Sequence, residues 1–202
     1  MGSFSTSFLE KTKEYVAGFI GEHFTEKICY HNIDHTIDVV GFCELIGNKC
    51  RISESDMEIV IIAAWFHDTG YYLGCQDHED ASAEIAEKYL SEQNCDTTHI
   101  KKVVNCILAT KIPQTPKTLL EKILCDADLY HLSSEQFFEK SELLLQELKF
   151  ENQDISDEMW LEGSKEFVEA HRYHTPYGKR VLFPRMLKNL KMLKSRIEKI
   201  HV

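Results

Sequence analysis

His35 in YHNIDHT, the adjacent pair His67-Asp68 in AAWFHDTGY and Asp128 in LCDADLYHL are metal-binding residue types spread along the chain. Imidazole nitrogens and carboxylate oxygens together suit a divalent transition metal, and a site with few protein ligands leaves positions for water and substrate. With ten His and 33 Asp+Glu in 202 residues, any one of these matches carries little by itself. Context makes the set informative. Ile59 through Phe66 is an unbroken apolar run that leads straight into His67-Asp68, and Gly70 follows almost at once. A charge at the end of a buried run needs a partner or a metal ion, so the pair reads as a site and not as solvated surface.

His31 precedes His35 by four residues, so on a helical turn both rings face one pocket. If His35 holds a metal, water bound to that metal loses a proton near neutral pH and can attack phosphorus. His31 would then protonate the departing oxygen as general acid; its alternative role is to close the helix entry together with Asn32. Asp68 is open to three roles: touching the metal, holding the attacking water, or bridging to a second ion. Asp126 and Asp128 diverge by about 200° on one helix, so one ligates and the other hydrogen-bonds a ligand or a basic neighbour. His78 is a further imidazole that either supports the site or begins its helix on the surface. Two weaker substrate-contact candidates remain. Lys111 either meets a phosphate or marks a solvated helix end. The polar-aromatic run 171–177 with Lys179 and Arg180 beyond, including His171, Arg172 and His174, either closes over a substrate or merely connects helices.

The elements that must position these residues are helices. Apolar positions recur at helical spacing, and no segment sustains the alternation of a strand, so the expected fold class is all-α, a helical bundle. The patterns predict helices over residues 4–24, 35–47, 53–67, 78–93, 97–109, 117–130, 134–150, 156–169 and 184–200. Ser53 to Asp56 supplies an N-cap and an acidic first turn for the helix that delivers His67-Asp68. Pro113 and Pro116 separate two helices, because proline cannot continue one. In the last helix Met186, Leu187, Leu190, Leu193 and Ile197 form the expected inward face. No linker or repeat divides the chain, so one domain over 1–202 is expected, with the metal-site core at about 25–135 and a C-terminal helical portion at about 136–202.

Composition excludes some partners. A net charge of -10 repels a phosphate backbone, and no basic stripe with interleaved aromatics is present, so polymeric nucleic acid is not expected to bind. A small phosphorylated substrate is compatible, since a metal and local cations set the potential inside a pocket. Seven Cys without close pairing read as reduced thiols. Without a secretory signal or an apolar run of about 18 residues, a cytoplasmic protein with no membrane association is expected. The opening Met1-Gly2-Ser3-Phe4-Ser5-Thr6 satisfies a loose myristoylation pattern, which start-codon context explains equally well.

The ordered His, His-Asp, Asp on a helical chain resembles the HD-domain metal-dependent phosphohydrolase superfamily over roughly residues 25–135. The resemblance implies an HD-domain bundle in which His35, His67, Asp68 and Asp128 bind the metal. Asp128 is favoured over Asp126 there because the family's last Asp follows Ala and precedes a hydrophobic residue, as in Ala127-Asp128-Leu129. The segment 30–39, YHNIDHTIDV, is similar to the Tyr-His-Asn-x-x-His-Ala-x-Asp-Val motif of eukaryotic-type cyclic nucleotide phosphodiesterases, in which the first His is the proton donor and the second a metal ligand. The chain departs from them at Tyr71, where they carry a further His, and in its shorter length. Residues 65–68 with 78–83 look instead like the small predicted HD phosphohydrolases of bacteria. The resemblance thus implies a divalent metal (Mn, Mg, Fe, Ni, Co or Zn) and hydrolysis of a phosphoester in a nucleotide or related small metabolite. His31 and Asp68 would be the catalytic pair, and a homodimer is compatible. The competing class is an HD module that binds metal or nucleotide without turnover and signals through a partner; metal-dependent oxidation would need more His ligands than can be placed.

Overall fold

Eight consecutive apolar residues have no polar side on a helix, and a helix apolar all round must be surrounded. In the computed structural model, which describes residues 6–200, Ile59 to Phe66 close α3 (Glu54–Phe66), and all eight are buried. Around it pack α1 (Thr6–His23), α2 (Ile33–Cys50), α4 (His78–Glu92), α5 (Thr97–Leu108) and α6 (Leu119–Asp128). Helices α7 (Phe137–Glu151), α8 (Asp157–Ala170) and α9 (Phe183–Ile200) complete the chain, and the described residues contain no strand. The fold is all-α, as the periodicity predicts. The Gly2 pattern, with Phe4 and Ser5 of the expected first helix, lies outside the described residues.

Helix starts follow side-chain caps that satisfy orphan backbone donors. Asn32 caps α2 by accepting from the N–H groups of Asp34 and His35, and Ser53 caps α3 by accepting from Asp56 N–H. Thr118 and Glu121 form a reciprocal capping box, which starts α6 two residues later than the pattern at Lys117 implies. Helix α6 also ends earlier than expected, at Asp128, where a 3₁₀ turn over Leu129–Ser133 takes over. A second 3₁₀ turn over Thr69–Leu73, absent from the sequence reading, follows His67-Asp68. In α9 the inward seam is Met186, Leu190, Leu193 and Ile197, whereas Leu187 is 45% exposed. One residue of helix turns a side chain by about 100°, which carries Leu187 off the seam.

Asp126 is fully buried and faces away from Asp128's side of α6. Its carboxylate accepts from the backbone N–H of His174 and of Thr175 and from the Thr175 hydroxyl, at 2.7, 2.9 and 2.6 Å. Gly178 packs against the same carboxylate so closely that a Cβ there would lie 2.7 Å from Tyr173 Cβ. Tyr173 adds a hydrogen bond from its hydroxyl to the Leu129 carbonyl. These contacts pin the α8–α9 connection to α6. Asp126 therefore anchors backbone; it supports no metal ligand directly. In urea unfolding, Asp126→Ala should lose about 3 kcal/mol, because two buried N–H groups and a hydroxyl are left without an acceptor, while bound metal per chain stays unchanged.

Candidate metal centre

The apolar run of α3 ends where its last turn must hand polar groups to the interior. His67 Nδ1 donates to the Ala64 carbonyl at 2.8 Å. A carbonyl only accepts, so Nδ1 keeps its proton, and Nε2 is the atom that faces inward and offers a lone pair once its own proton is shed. Asp68 follows at the next position, and Thr69 bonds back to the Phe66 carbonyl to close the helix. His35 enters from the first turn of α2, fixed by the Asn32 cap on its own N–H. Asp128 comes from the last turn of α6.

These four side chains converge. His35 Nε2 and His67 Nε2 are 3.4 Å apart. Asp68 Oδ2 lies 3.0 Å from His67 Nε2 and 3.3 Å from His35 Nε2, and Asp128 Oδ1 lies 3.6 and 3.4 Å from the same atoms. Atoms that each sit about 2.1 Å from one ion, at angles of roughly 90° to 109°, are about 3.0 to 3.4 Å apart. His35, His67 and Asp128 offer ligand atoms all within 4.8 Å of one another and could hold a metal ion. Asp68 Oδ2 beside them is buried and has no hydrogen-bond partner, which a cation would satisfy. The donor set therefore fits a divalent ion.

Charge balance shows the same demand. Burial opposes a charged His67, yet the Asp68 and Asp128 carboxylates outweigh it and raise its pKa well above the ordinary value. Burial likewise opposes a charged His35, and Asp128 and Asp68 raise it in turn. Burial would raise both carboxylates, but the facing imidazoles hold Asp68 and Asp128 below the usual range. Without a metal, protons on the imidazoles carry the positive charge that the buried carboxylates require.

His31 does not cap α2; Asn32 does this alone. The His31 Nδ1 is hydrogen-bonded to Glu147 of α7, whose other oxygen accepts from the Tyr30 and His31 backbone N–H groups at 2.8 and 3.1 Å. Burial would raise Glu147, but its His31 and backbone partners keep it below the ordinary carboxylate value. Tyr71 stacks on the His31 ring, with centroids 4.0 Å apart, and meets His78 edge-on at 4.9 Å. His78 places Nε2 3.5 Å from Asp68 Oδ1 and is raised to about 9, with Asp68 overcoming the opposing effect of burial. It thus stands beside the site, on the far oxygen of Asp68.

A cavity of about 350 Å³ opens from Asp68 and Asp128 past His31 and His78 towards α7 and α8. Of the expected substrate contacts, Lys111, His171, Arg172, His174 and Arg180 are absent from its lining. Lys111 is bound to Asp77 and Asp80 instead. Arg172 donates to the carbonyls of Glu169 and His171, and His174 Nε2 meets Gln114. His171 is packed between Phe167 and Tyr173. Sequence reasoning missed Glu147, although an acid between Leu144 and Leu148 on an inward helical stripe is a legible signal. It also missed His131, which meets the Tyr30 hydroxyl at 2.9 Å and which burial lowers to about 4.

Two solution behaviours follow from this geometry. Divalent metal at a hundred times its Kd should stabilise the protein by about 2.7 kcal/mol, seen as a rise in Tm that chelator reverses and Asp128→Asn abolishes. Binding at pH 7 should also release protons, because raised imidazoles must shed them to ligate, so affinity falls as pH falls. Calorimetry in two buffers of different ionisation enthalpy reads this directly, and equal apparent enthalpies would contradict it.

No curated protein matches the sequence significantly. Among solved structures, a predicted HD superfamily hydrolase from an uncultured Thermotogales bacterium superposes with a TM-score of 0.58 at 18% identity, covering 95% of this chain and 90% of that one. A Lactobacillus plantarum protein superposes with a TM-score of 0.69 at 13% identity, covering 98% and 96%. At these identities the likeness is one of fold. The family model described as HD domain matches residues 32–133, which hold His35, His67, Asp68 and Asp128. With half its length matched, the chain belongs to the HD domain family.

Proposed function

We propose that the protein is a metal-dependent phosphohydrolase that cleaves a phosphoester of a small metabolite, with nucleotides within the class to be tested. The observation that carries the reading is the juxtaposition of the converged ligand atoms with a carboxylate-backed histidine on one cavity wall. His35, His67, Asp68 and Asp128 would hold the ion. A divalent ion bound there supplies Lewis acidity, polarising a phosphoryl oxygen and lowering the pKa of water.

The remaining work falls to side chains. Asp68 Oδ1, on the side of the carboxylate facing His78, can accept a hydrogen bond from the attacking water and orient it. Glu147 fixes the His31 ring through Nδ1, leaving Nε2 to carry a proton into the cavity. As the water oxygen bonds to phosphorus and the ester P–O bond breaks, that proton passes to the leaving oxygen. The proton shed by water goes to solvent, from which His31 is recharged. Tyr71 excludes solvent from one face of His31 by stacking on it. The Thermotogales relative's description as a predicted hydrolase agrees with this reading.

The test is phosphate release from mononucleotides, cyclic nucleotides, nucleoside polyphosphates and simple phosphate esters with Mn, Mg, Fe, Ni, Co or Zn. Asp68→Ala should abolish it. His31→Gln should lower kcat about 10² to 10⁴-fold on alkyl esters, but far less on p-nitrophenyl phosphate, whose leaving group needs no proton. An equal loss on both would remove His31 from the acid role. Silence across the panel with metal still bound would favour a binding module.

A further inference from the structure

The cavity beside the centre is chemically lopsided. Its metal end carries three acids, Asp68, Glu79 and Asp128, yet among the described residues the lining contains no Lys or Arg and no Asn or Gln. A polyphosphate brings several negative charges that proteins meet with guanidinium or ammonium groups. A nucleobase is read by a few placed amide, carboxylate or backbone groups. Away from the centre the wall is Leu132, Phe137, Leu144, Leu148, Phe167 and Val168. The polar atoms there are largely spent within the protein: Trp160 Nε1 donates to the Ser141 hydroxyl at 3.1 Å, and the Thr110 hydroxyl donates to the Ile107 carbonyl at 2.7 Å. The lysines adjacent in sequence to lining residues are committed elsewhere: Lys111 to Asp77 and Asp80, Lys140 to Asp38, Lys149 to Asp157 and Lys165 to Glu162.

Helix α8 adds a second observation. Gly163 lies in its interior and lines the cavity, with Trp160 and Phe167 about one turn to either side. A Cβ at Gly163 would meet no heavy atom within 4 Å. Glycine costs about 1 kcal/mol relative to alanine inside a helix, and no close packing demands it here. Its effect is a notch that keeps the apolar chamber open between two aromatic rings.

We propose that the substrate is an ester carrying a single phosphoryl group on a small apolar alcohol, whose hydrocarbon or aromatic body fills the chamber between the Leu129–Ser133 turn, α7 and α8. The phosphoryl group lies at the metal end, within reach of His31. The proposal rests on the phosphohydrolase reading for the reacting group, and on the chamber alone for the body.

The experiment uses n-alkyl phosphates of increasing length as substrates and n-alkylphosphonates as unreactive ligands, beside adenosine mono- and triphosphate. Binding is followed through fluorescence of Trp160 in a Trp65→Phe background, with and without metal, so that it is read apart from turnover. Affinity and kcat/KM should rise about 4-fold per methylene, matching about 0.8 kcal/mol per buried CH₂, until the chamber is full, and adenosine triphosphate should be a poor ligand. Gly163→Leu should weaken octylphosphonate more than 10-fold while leaving methylphosphonate binding and bound metal unchanged and Tm no lower than that of the parent, since a side chain there relieves the glycine's helix cost; Gly163→Ala should retain most of the length dependence. A flat length series, or a length series untouched by Gly163→Leu, overturns the proposal. Length-dependent phosphonate binding without hydrolysis of any ester upholds the chamber's ligand class and overturns the hydrolytic reading.

Discussion

Two carboxylates and two imidazoles face one another within 3.0–3.6 Å at the buried end of α3, and the rest of the structure is arranged around the need to balance that charge. Buried carboxylates demand a counter-charge. Protons on His35 and His67 provide it in the metal-free state, and a divalent ion replaces them. The surrounding helices fix the geometry so that either solution is possible. The His67 tautomer is set by the Ala64 carbonyl, His35 is oriented by its Asn32 cap, and Asp128 leaves the last turn of α6 on the side away from Asp126.

Burial of α3 is what makes this arrangement rigid. Its eight buried residues contact five neighbouring helices, so His67 and Asp68 are delivered from a fixed scaffold. Gly70 lets α4 come close: a Cβ there would fall 2.7 Å from Ala81 Cβ and 2.7 Å from Ser82 N, and the Gly70 N–H donates to the Ser82 hydroxyl. This approach carries His78 to within 3.5 Å of Asp68.

The C-terminal helices finish what the metal-ligand segment begins. Glu147 on α7 holds His31 from a distance of 116 residues in sequence, and α7 with α8 walls the cavity. The Asp126 contacts to 174–175 tie the α8–α9 connection back to α6, the same helix that presents Asp128 on its other side. One helix thereby couples the closing of the cavity to the placing of a ligand.

The sequence by itself determined the helical class, the order of the ligand-type residues and the central position of α3, because these depend on period and on runs of apolar residues, which are local. It also limited Asp126 and Asp128 to different roles, since two positions on one helix cannot face the same way. Tertiary structure alone decided the partners. The long-range bond between His31 and Glu147, the stacking of Tyr71 on His31 and the removal of Lys111 to Asp77 and Asp80 have no spacing rule in the chain. The polar run at 171–180 shows why: its residue types suit substrate contact, yet its backbone is claimed by Asp126 from across the fold. Which groups meet across 31 to 116 residues is set by how helices pack, and packing is a property of all their faces together.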